Sequence, residues 1–219
     1  MIETPELIAA LAAAPAKVRR LHAPVLRACA WLGLAAVLVA VLALEHGLRP
    51  DLAAQLRKPH FAISLAASLL TGVCAVIACL QASLPDRSRA WLLLPLPPLA
   101  LWLSGLGYGC LTDWVMMEPN MEDPGETLRC LTTVAVTSLP LGLALLVLLR
   151  HAERLRPTLL TLTAGLAVAA IATLALSLLH SIDATAMVLL FNLGTVTLIL
   201  AIEWIWGRSA LAWLSRRTV

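Results

Sequence analysis

The sequence has few charged residues, which occupy only 13% of its 219 positions. A soluble globular domain carries roughly 25% charged residues. Hydrophobic residues make up 60% of the chain, and the mean hydropathy is +0.89. A single soluble core could not bury this much apolar surface, so the composition excludes an ordinary soluble enzyme and predicts a protein embedded in lipid.

The motifs of several common catalytic and binding sites are missing. There is no CxxC pair among the five cysteines, which excludes a zinc-ribbon or thioredoxin-type site. There is also no glycine-rich phosphate-binding motif and no strong internal repeat. The formal net charge is only +3, and the basic residues flank apolar runs, so we expect no direct nucleic-acid binding. No cofactor is predicted, and the identity of any metal stays open.

The sequence does contain six apolar runs of about 20 residues, the length of a helix that crosses a bilayer. These runs cover residues 23–44, 61–80, 90–110, 128–149, 158–179 and 185–206. The predicted fold is an all-α membrane protein with a six-transmembrane-helix bundle over residues 23–206. An N-terminal segment over 1–22 and a tail over 207–219 complete the chain.

The basic residues predict the orientation of this bundle. If the N-terminus is cytoplasmic, twelve of the 16 Lys and Arg residues lie on the cytoplasmic side, and only Arg49, Arg57, Lys58 and Arg129 lie outside. Lys and Arg accumulate in short cytoplasmic loops of membrane proteins. Both termini are therefore predicted to be cytoplasmic.

Few ionisable groups lie inside the predicted spans. The clearest exception, Glu203, is within one turn of the cytoplasmic end of the sixth span. Transporters normally keep charged side chains at membrane depth, because the substrate path needs them. A transporter function is therefore disfavoured.

Prolines and glycines are unevenly spread over the third and fourth spans. Pro95, Pro97 and Pro98 lie in the third span and Pro140 lies in the middle of the fourth. Each proline removes a helical hydrogen bond, so we expect both helices to bend. Gly105, Gly107 and Gly109 should allow a neighbouring helix to approach the outer half of the third span closely.

The cysteines fall into two groups. Cys29, Cys74 and Cys79 lie within apolar runs, where a thiol acts as a small hydrophobic side chain. Cys110 and Cys130 lie at the outer ends of the third and fourth spans and bracket an acidic loop. Disulfides persist in that compartment.

Three readings of the outer pair stay open from the residues alone. Cys110 and Cys130 could form a structural disulfide, act as a thiol sensor, or remain unpaired. As a reduced pair they could also bind a soft metal ion, with His180 and Asp183 on the same side of the membrane.

The N-terminal segment carries a short amphipathic pattern. A helix is predicted over 5–14, since Pro5 suits the first helical position. Leu7, Ile8 and Leu11 form one apolar stripe, too short to be stable alone in water. The helix could lie on the membrane surface, or it could dock into a groove of a cytosolic partner.

Several short strings together resemble one known family. They are Glu6, Leu7 and Ile8 followed by Leu11 and Ala12; Gly47-Leu48-Arg49-Pro50-Asp51-Leu52; Cys130 and Leu131 followed by Leu139 and Pro140; and Leu179 and His180 with Asp183. With these strings the chain resembles the NrsF family, the negative regulators of sigma factor F, over almost its whole length. The Gly-Leu-Arg-Pro-Asp-Leu string is the most specific of them.

The resemblance implies a multi-pass anti-sigma factor of the bacterial inner membrane and not an enzyme. In such a protein the N-terminal segment, here with Glu6, Leu7, Ile8, Leu11 and Ala12, holds an extracytoplasmic-function sigma factor at the membrane. An outer oxidative, metal or other stress signal then releases the sigma factor. The partners implied are this cytosolic sigma factor and the lipid bilayer.

One position departs from the family pattern. The family pairs a cysteine at the start of the fourth helix, matched by Cys130, with another directly after the histidine that ends the fifth. The second position is Ser181 here. Either Cys110 replaces it as the partner of Cys130, which we favour, or sensing through this pair is lost, or His180, Asp183 and the acidic loop sense by another route.

Two other function classes remain as alternatives. A membrane thiol oxidoreductase would use the outward cysteines, but it needs a closely spaced, reactive pair, which the sequence does not show. A small membrane transporter would need the intramembrane charges that are missing.

Overall fold

The computed structural model describes residues 23–84, 86–115, 124–149, 157–179, 194 and 197, with the backbone alone for 106–115, 124–131 and 157. In chain order the elements are α1 (Pro24–His46), α2 (Leu52–Leu56), α3 (Pro59–Ala82), a 3-10 helix (Arg89–Leu93), α4 (Leu96–Val115), α5 (Pro124–Leu149) and α6 (Pro157–Leu179). This part of the chain contains no strand, so the predicted all-α class is confirmed for it.

Four stretches of helix are long and apolar enough to cross a membrane. They are Pro24–His46, Pro59–Ala82, Thr132–Leu149 and Thr158–Leu179. They correspond to the first, second, fourth and fifth predicted spans, and they indicate a membrane protein. Only Gly194 and Thr197 of the sixth predicted span, over 185–206, are described, and both termini lie outside the described residues. The six-span count and the orientation therefore stay predictions.

Proline fixes where most of the long helices begin. α1, α3, α5 and α6 each start at a proline: Pro24, Pro59, Pro124 and Pro157. The first helical N–H has no partner within the helix, so proline loses nothing there, and its fixed φ suits the helix. The elements therefore begin close to the predicted starts of the apolar runs.

The predicted third span is divided, which corrects the expectation of one bent helix over 90–110. The 3-10 helix ends at Leu93, and α4 begins only at Leu96 and continues to Val115. Pro97 and Pro98 thus lie in the first turn of α4, where their missing N–H groups break no helical bond. Pro140 does lie inside a helix, as predicted for the fourth span.

α3 and α6 form the centre of the bundle. α3 makes its most extensive contact with α6 and its next with α4. Seven consecutive residues of α6, 167–173, are buried, and four of them are alanines. A Cβ on Gly72 of α3 would lie only 2.8 Å from Cδ1 of Ile171. Small residues let these two helices approach closely, which is how helices associate where no water drives them together.

α4 packs on the same centre through one large side chain. Trp102 is fully buried against Ala67 of α3 and Ala170 of α6. Further along α4, a Cβ on Gly105 would lie 3.4 Å from Cβ of Ser64. The close approach predicted at Gly105 is confirmed.

Three long-range hydrogen bonds define the two ends of the bundle. The start of α1 meets the end of α5 through Arg27 and Leu148, and the end of α3 meets the start of α6 through Cys79 and Leu160. At the opposite end, the backbone N–H of Arg49 donates to the carbonyl of Leu178, near the end of α6. We call these the Arg27 end and the Arg49 end.

Candidate functional site

The residues predicted to bind the partner lie before the first described helix. Glu6, Leu7, Ile8, Leu11 and Ala12 are outside the described residues, so their helix stays a prediction. The described chain begins at Ala23 and enters α1 at Pro24. The N-terminal segment is therefore joined to the bundle at the first turn of α1.

The side chains of the four sensor candidates lie outside the part of the chain that the structure describes. Position 110 lies in α4 and position 130 in α5, but the side chains of Cys110 and Cys130 are outside the described part of the chain. His180 and Asp183 are also outside it. Their mutual geometry stays untested.

The three remaining cysteines, which are predicted to act as small hydrophobic side chains, differ in their exposure. Cys79 is buried, Cys74 is half-buried and Cys29 is exposed. The Cys79 thiol lies 3.4 Å from the carbonyl oxygen of Leu160, a helix-to-helix contact. Within the described ranges, no group of three His, Cys, Asp or Glu residues could hold a metal ion.

A polar cluster closes the Arg49 end of the bundle. Gly47 ends α1 with a φ of +78°, a conformation that favours glycine. The chain then turns, and the Arg49 backbone N–H donates to the carbonyl of Leu178 at 3.1 Å. The last carbonyls of a helix have no partner within it, so this bond ties the α1–α3 connection to the end of α6.

The side chain of Arg49 is held as firmly as its backbone. It is only 7% exposed, and it donates to both carboxylate oxygens of Asp51, at 2.7 and 2.9 Å. Its guanidinium carbon lies 5.6 Å from the centre of the Phe61 ring, within range of a cation–π contact. Planar, two-point pairing with a carboxylate is a property of arginine that lysine does not share.

Asp51 joins this cluster to α2. It accepts a second partner, the Gln55 side-chain amide, at 2.9 Å, and its backbone carbonyl accepts the N–H groups of Ala54 and Gln55. Hydrogen bonds from Arg49 and then from Gln55 lower the pKa of the Asp51 carboxyl well below its ordinary value. The negative charge is thus retained beside a buried positive charge.

A second polar contact lies at the Arg27 end. Arg27, in the first turn of α1, is 8% exposed and donates to the carbonyl of Leu148, one residue before the end of α5. A helix C-terminus carries partial negative charge and unsatisfied carbonyls, so it is a natural partner for a guanidinium. One turn further along α1, the indole N–H of Trp31 donates to the carbonyl of Leu141 at 2.9 Å.

The sequence contained partial signals for both contacts. The Gly-Leu-Arg-Pro-Asp-Leu string marks the first contact, but only as a family resemblance, and charge bias alone predicts Arg49 as an outer basic residue. The same bias predicts Arg27 as one of the basic residues that flank the first span. An arginine four residues inside an apolar run was the signal that a buried acceptor was needed.

Comparison with known proteins gives one match. A family model described as NrsF, negative regulator of sigma F, matches residues 11–213. The matched range includes every described helix, and it starts at Leu11, within the predicted docking helix. Comparison with curated proteins and with solved structures finds no match.

Proposed function

Because the chain belongs to the NrsF family of negative regulators of sigma F, we propose that it is a membrane anti-sigma factor that holds an extracytoplasmic-function sigma factor at the bacterial inner membrane. The observation that carries the proposal is the family match over 11–213, which spans the whole described bundle. It agrees with the resemblance found in the sequence. Four helices of membrane-spanning length and composition support the location.

In this proposal the N-terminal segment over 1–22 is the binding element. Its apolar stripe of Leu7, Ile8 and Leu11, flanked by Glu6 and Ala12, lies in a groove of the sigma factor on the cytoplasmic side. A sigma factor held in this way is kept from RNA polymerase. The protein performs no catalytic step, and the bundle needs no cofactor for this role.

The outer side of the bundle receives the signal. Cys110, Cys130, His180 and Asp183 are the candidate receptors, since thiols and imidazole respond to oxidants and bind soft metal ions. Ser181 stands where the family has its second cysteine, so Cys110 is the partner proposed for Cys130. The predicted multi-pass, cytoplasmic-termini topology places the receptors and the docking segment on opposite sides of the membrane.

Co-purification of the full chain with its sigma factor tests the docking segment. Removal of residues 1–20 is expected to abolish recovery of the sigma factor with the membrane protein. Leu7→Glu should do the same, because a charge in the apolar stripe cannot be buried in a groove without a large cost. Persistence of full recovery after the deletion would refute the proposed binding element.

The matched control for this experiment is Ala13→Glu. Ala13 lies six residues after Leu7, on the opposite face of the predicted helix, and the substitution adds the same charge. It should leave recovery unchanged.

Release is tested by treating the same membranes with an oxidant or cadmium. The parent chain should lose the sigma factor on treatment, and the Cys130→Ser variant should retain it.

A further inference from the structure

Two side-chain hydrogen bonds join α1 to α5, in addition to apolar packing. Two side chains of α1, Arg27 and Trp31, donate hydrogen bonds to backbone carbonyls of α5, at Leu148 and Leu141. The donors are one helical turn apart, and the acceptors lie in the reverse order, as expected of antiparallel helices. Both donors are buried, and Trp31 is only 1% exposed.

Apolar residues seal this contact on both helices. Ala28 and Ala35 of α1 and Leu145 and Leu149 of α5 belong to the same buried cluster as Trp31. The Trp31 hydrogen bond is therefore shielded from water, and the Arg27 bond lies at the edge of this region, where it is partly buried. A donor that loses its acceptor in such a place is costly. The start of α1 is fixed to one place on α5.

α1 leads to the proposed docking segment, and α5 leads to the proposed signal receptors. α1 begins at Pro24, directly after the N-terminal segment. α5 carries position 130 near its start and Leu148 near its end. At 1.5 Å per residue, the 18 residues between those positions span about 27 Å, close to the thickness of a bilayer's hydrocarbon core.

We propose that Arg27 and Trp31 are positioning residues that fix the docking segment to α5, the helix on whose outer part Cys130 lies. This inference rests on the proposed function and adds the route by which the outer side controls the docking segment. A movement of α5 carries the two acceptors with it, and therefore the start of α1. Coupling between the outer side and the docking segment requires a shared element with two arrangements, whose equilibrium both of them shift.

Two pairs of variants separate the hydrogen bonds from the bulk of the side chains. Trp31→Phe keeps a ring and removes the N–H donor. Trp102→Phe is its matched control, because Trp102 is equally buried but its indole N–H has no acceptor among the described residues. Arg27→Met keeps the length of the side chain without a donor, and Arg27→Lys restores a donor and the charge.

The experiment measures sigma factor recovered with the full-length chain from membranes without any inducing treatment. Trp31→Phe and Arg27→Met should each lower the bound-to-free ratio by about fivefold, the shift that loss of one hydrogen bond produces in a two-state equilibrium. Trp102→Phe and Arg27→Lys should stay close to the parent. Equal losses in Trp31→Phe and Trp102→Phe, or no loss in Trp31→Phe and Arg27→Met, would overturn the inference.

A second measurement follows the docking segment without the sigma factor. In full-length chains that carry Ala16→Cys, the rate of labelling by a membrane-impermeant maleimide should change in Trp31→Phe and Arg27→Met but not in Trp102→Phe. Unchanged rates in all three would count against the inference even if the variants fold normally. If the proposed docking segment is wrong, a different result shows it: the sigma factor is still recovered after residues 1–20 are removed.

Discussion

Arg27 and Arg49 are each less than a tenth exposed, and each has a different kind of acceptor. Arg27 uses the carbonyl of Leu148 near a helix C-terminus, whereas Arg49 uses the carboxylate of Asp51. A buried charge is tolerated only when it is paired and hydrogen-bonded. The loss of a partner therefore costs more than the loss of an exposed ion pair, because the remaining charge stays buried.

The Asp51 carboxylate predicts a dependence of stability on pH. Its pKa is lower in the folded chain than the ordinary value of 3.8, so its ionised form stabilises the fold. That stabilisation is fully present above the ordinary pKa and is lost as the pH falls below it. Asp51→Asn should lower the melting temperature in detergent at neutral pH, and the difference from the parent should narrow as the pH falls below 3.8.

Asp86→Asn is the control for the removal of one negative charge. Asp86 is exposed, in the connection between α3 and the 3-10 helix, and forms no ion pair with any described residue. A melting temperature that drops as much in Asp86→Asn as in Asp51→Asn would contradict the specific role of the Arg49 pair.

The contact of α3 with α6 depends on the absence of one side chain. In Gly72→Ala the new Cβ would meet Cδ1 and Cγ1 of Ile171 at 2.8 and 3.0 Å. Overpacking of this kind costs about 1–3 kcal/mol, and the higher helix propensity of alanine offsets about 1 kcal/mol of that cost. Thermal unfolding in detergent should therefore show a net loss of up to about 2 kcal/mol for this variant.

A double substitution identifies the clash as the cause. Ile171→Val removes Cδ1, so Gly72→Ala should cost less in that background than in the parent. Gly33→Ala in α1 is the control, because a Cβ there meets nothing within 4 Å. Equal losses for Gly72→Ala in both backgrounds would show that Ile171 is not the obstacle.

Most helices could be predicted from the sequence because length and hydropathy determine them. The structure begins α1, α3, α5 and α6 within four residues of the predicted starts, each at a proline. The division before α4 could not be predicted in the same way. Hydropathy does not distinguish a proline that bends a helix from one that begins it, and the difference depends on the 3-10 helix that precedes α4.

The polar contacts depend on which helices are neighbours, and a single sequence does not contain that information. Arg27 and Leu148 are 121 residues apart, and Trp31 and Leu141 are 110 residues apart. Backbone carbonyls of any helix could have accepted these bonds. Only the cluster of Arg49, Asp51 and Gln55 is local enough that its partners could have been found from spacing.

At the scale of the whole molecule, the orientation is the prediction on which the functional proposal depends most. Six spans place both ends of the chain on one side, whereas five would separate them. Green fluorescent protein fused after Val219 should fluoresce, and alkaline phosphatase fused at the same place should be inactive, because the predicted tail over 207–219 is cytoplasmic. The opposite pattern would overturn the six-span topology.

Fusions at the Arg49 end provide the internal control. Alkaline phosphatase inserted after Arg57, in the connection between α2 and α3, should be active, since that connection is predicted to lie outside. The two ends of the bundle would then be assigned to opposite compartments by one method.

The central place of α6 also has a consequence for biosynthesis. α3 is complete at Ala82, but the helix that covers Gly72 and its neighbours is not complete until Leu179. At ordinary rates of synthesis, the 97 residues between them take about 5–20 s. During that interval the small-residue face of α3 has only acyl chains or an insertion factor beside it, so the newly made protein is most exposed to membrane quality control before its fifth hydrophobic segment arrives.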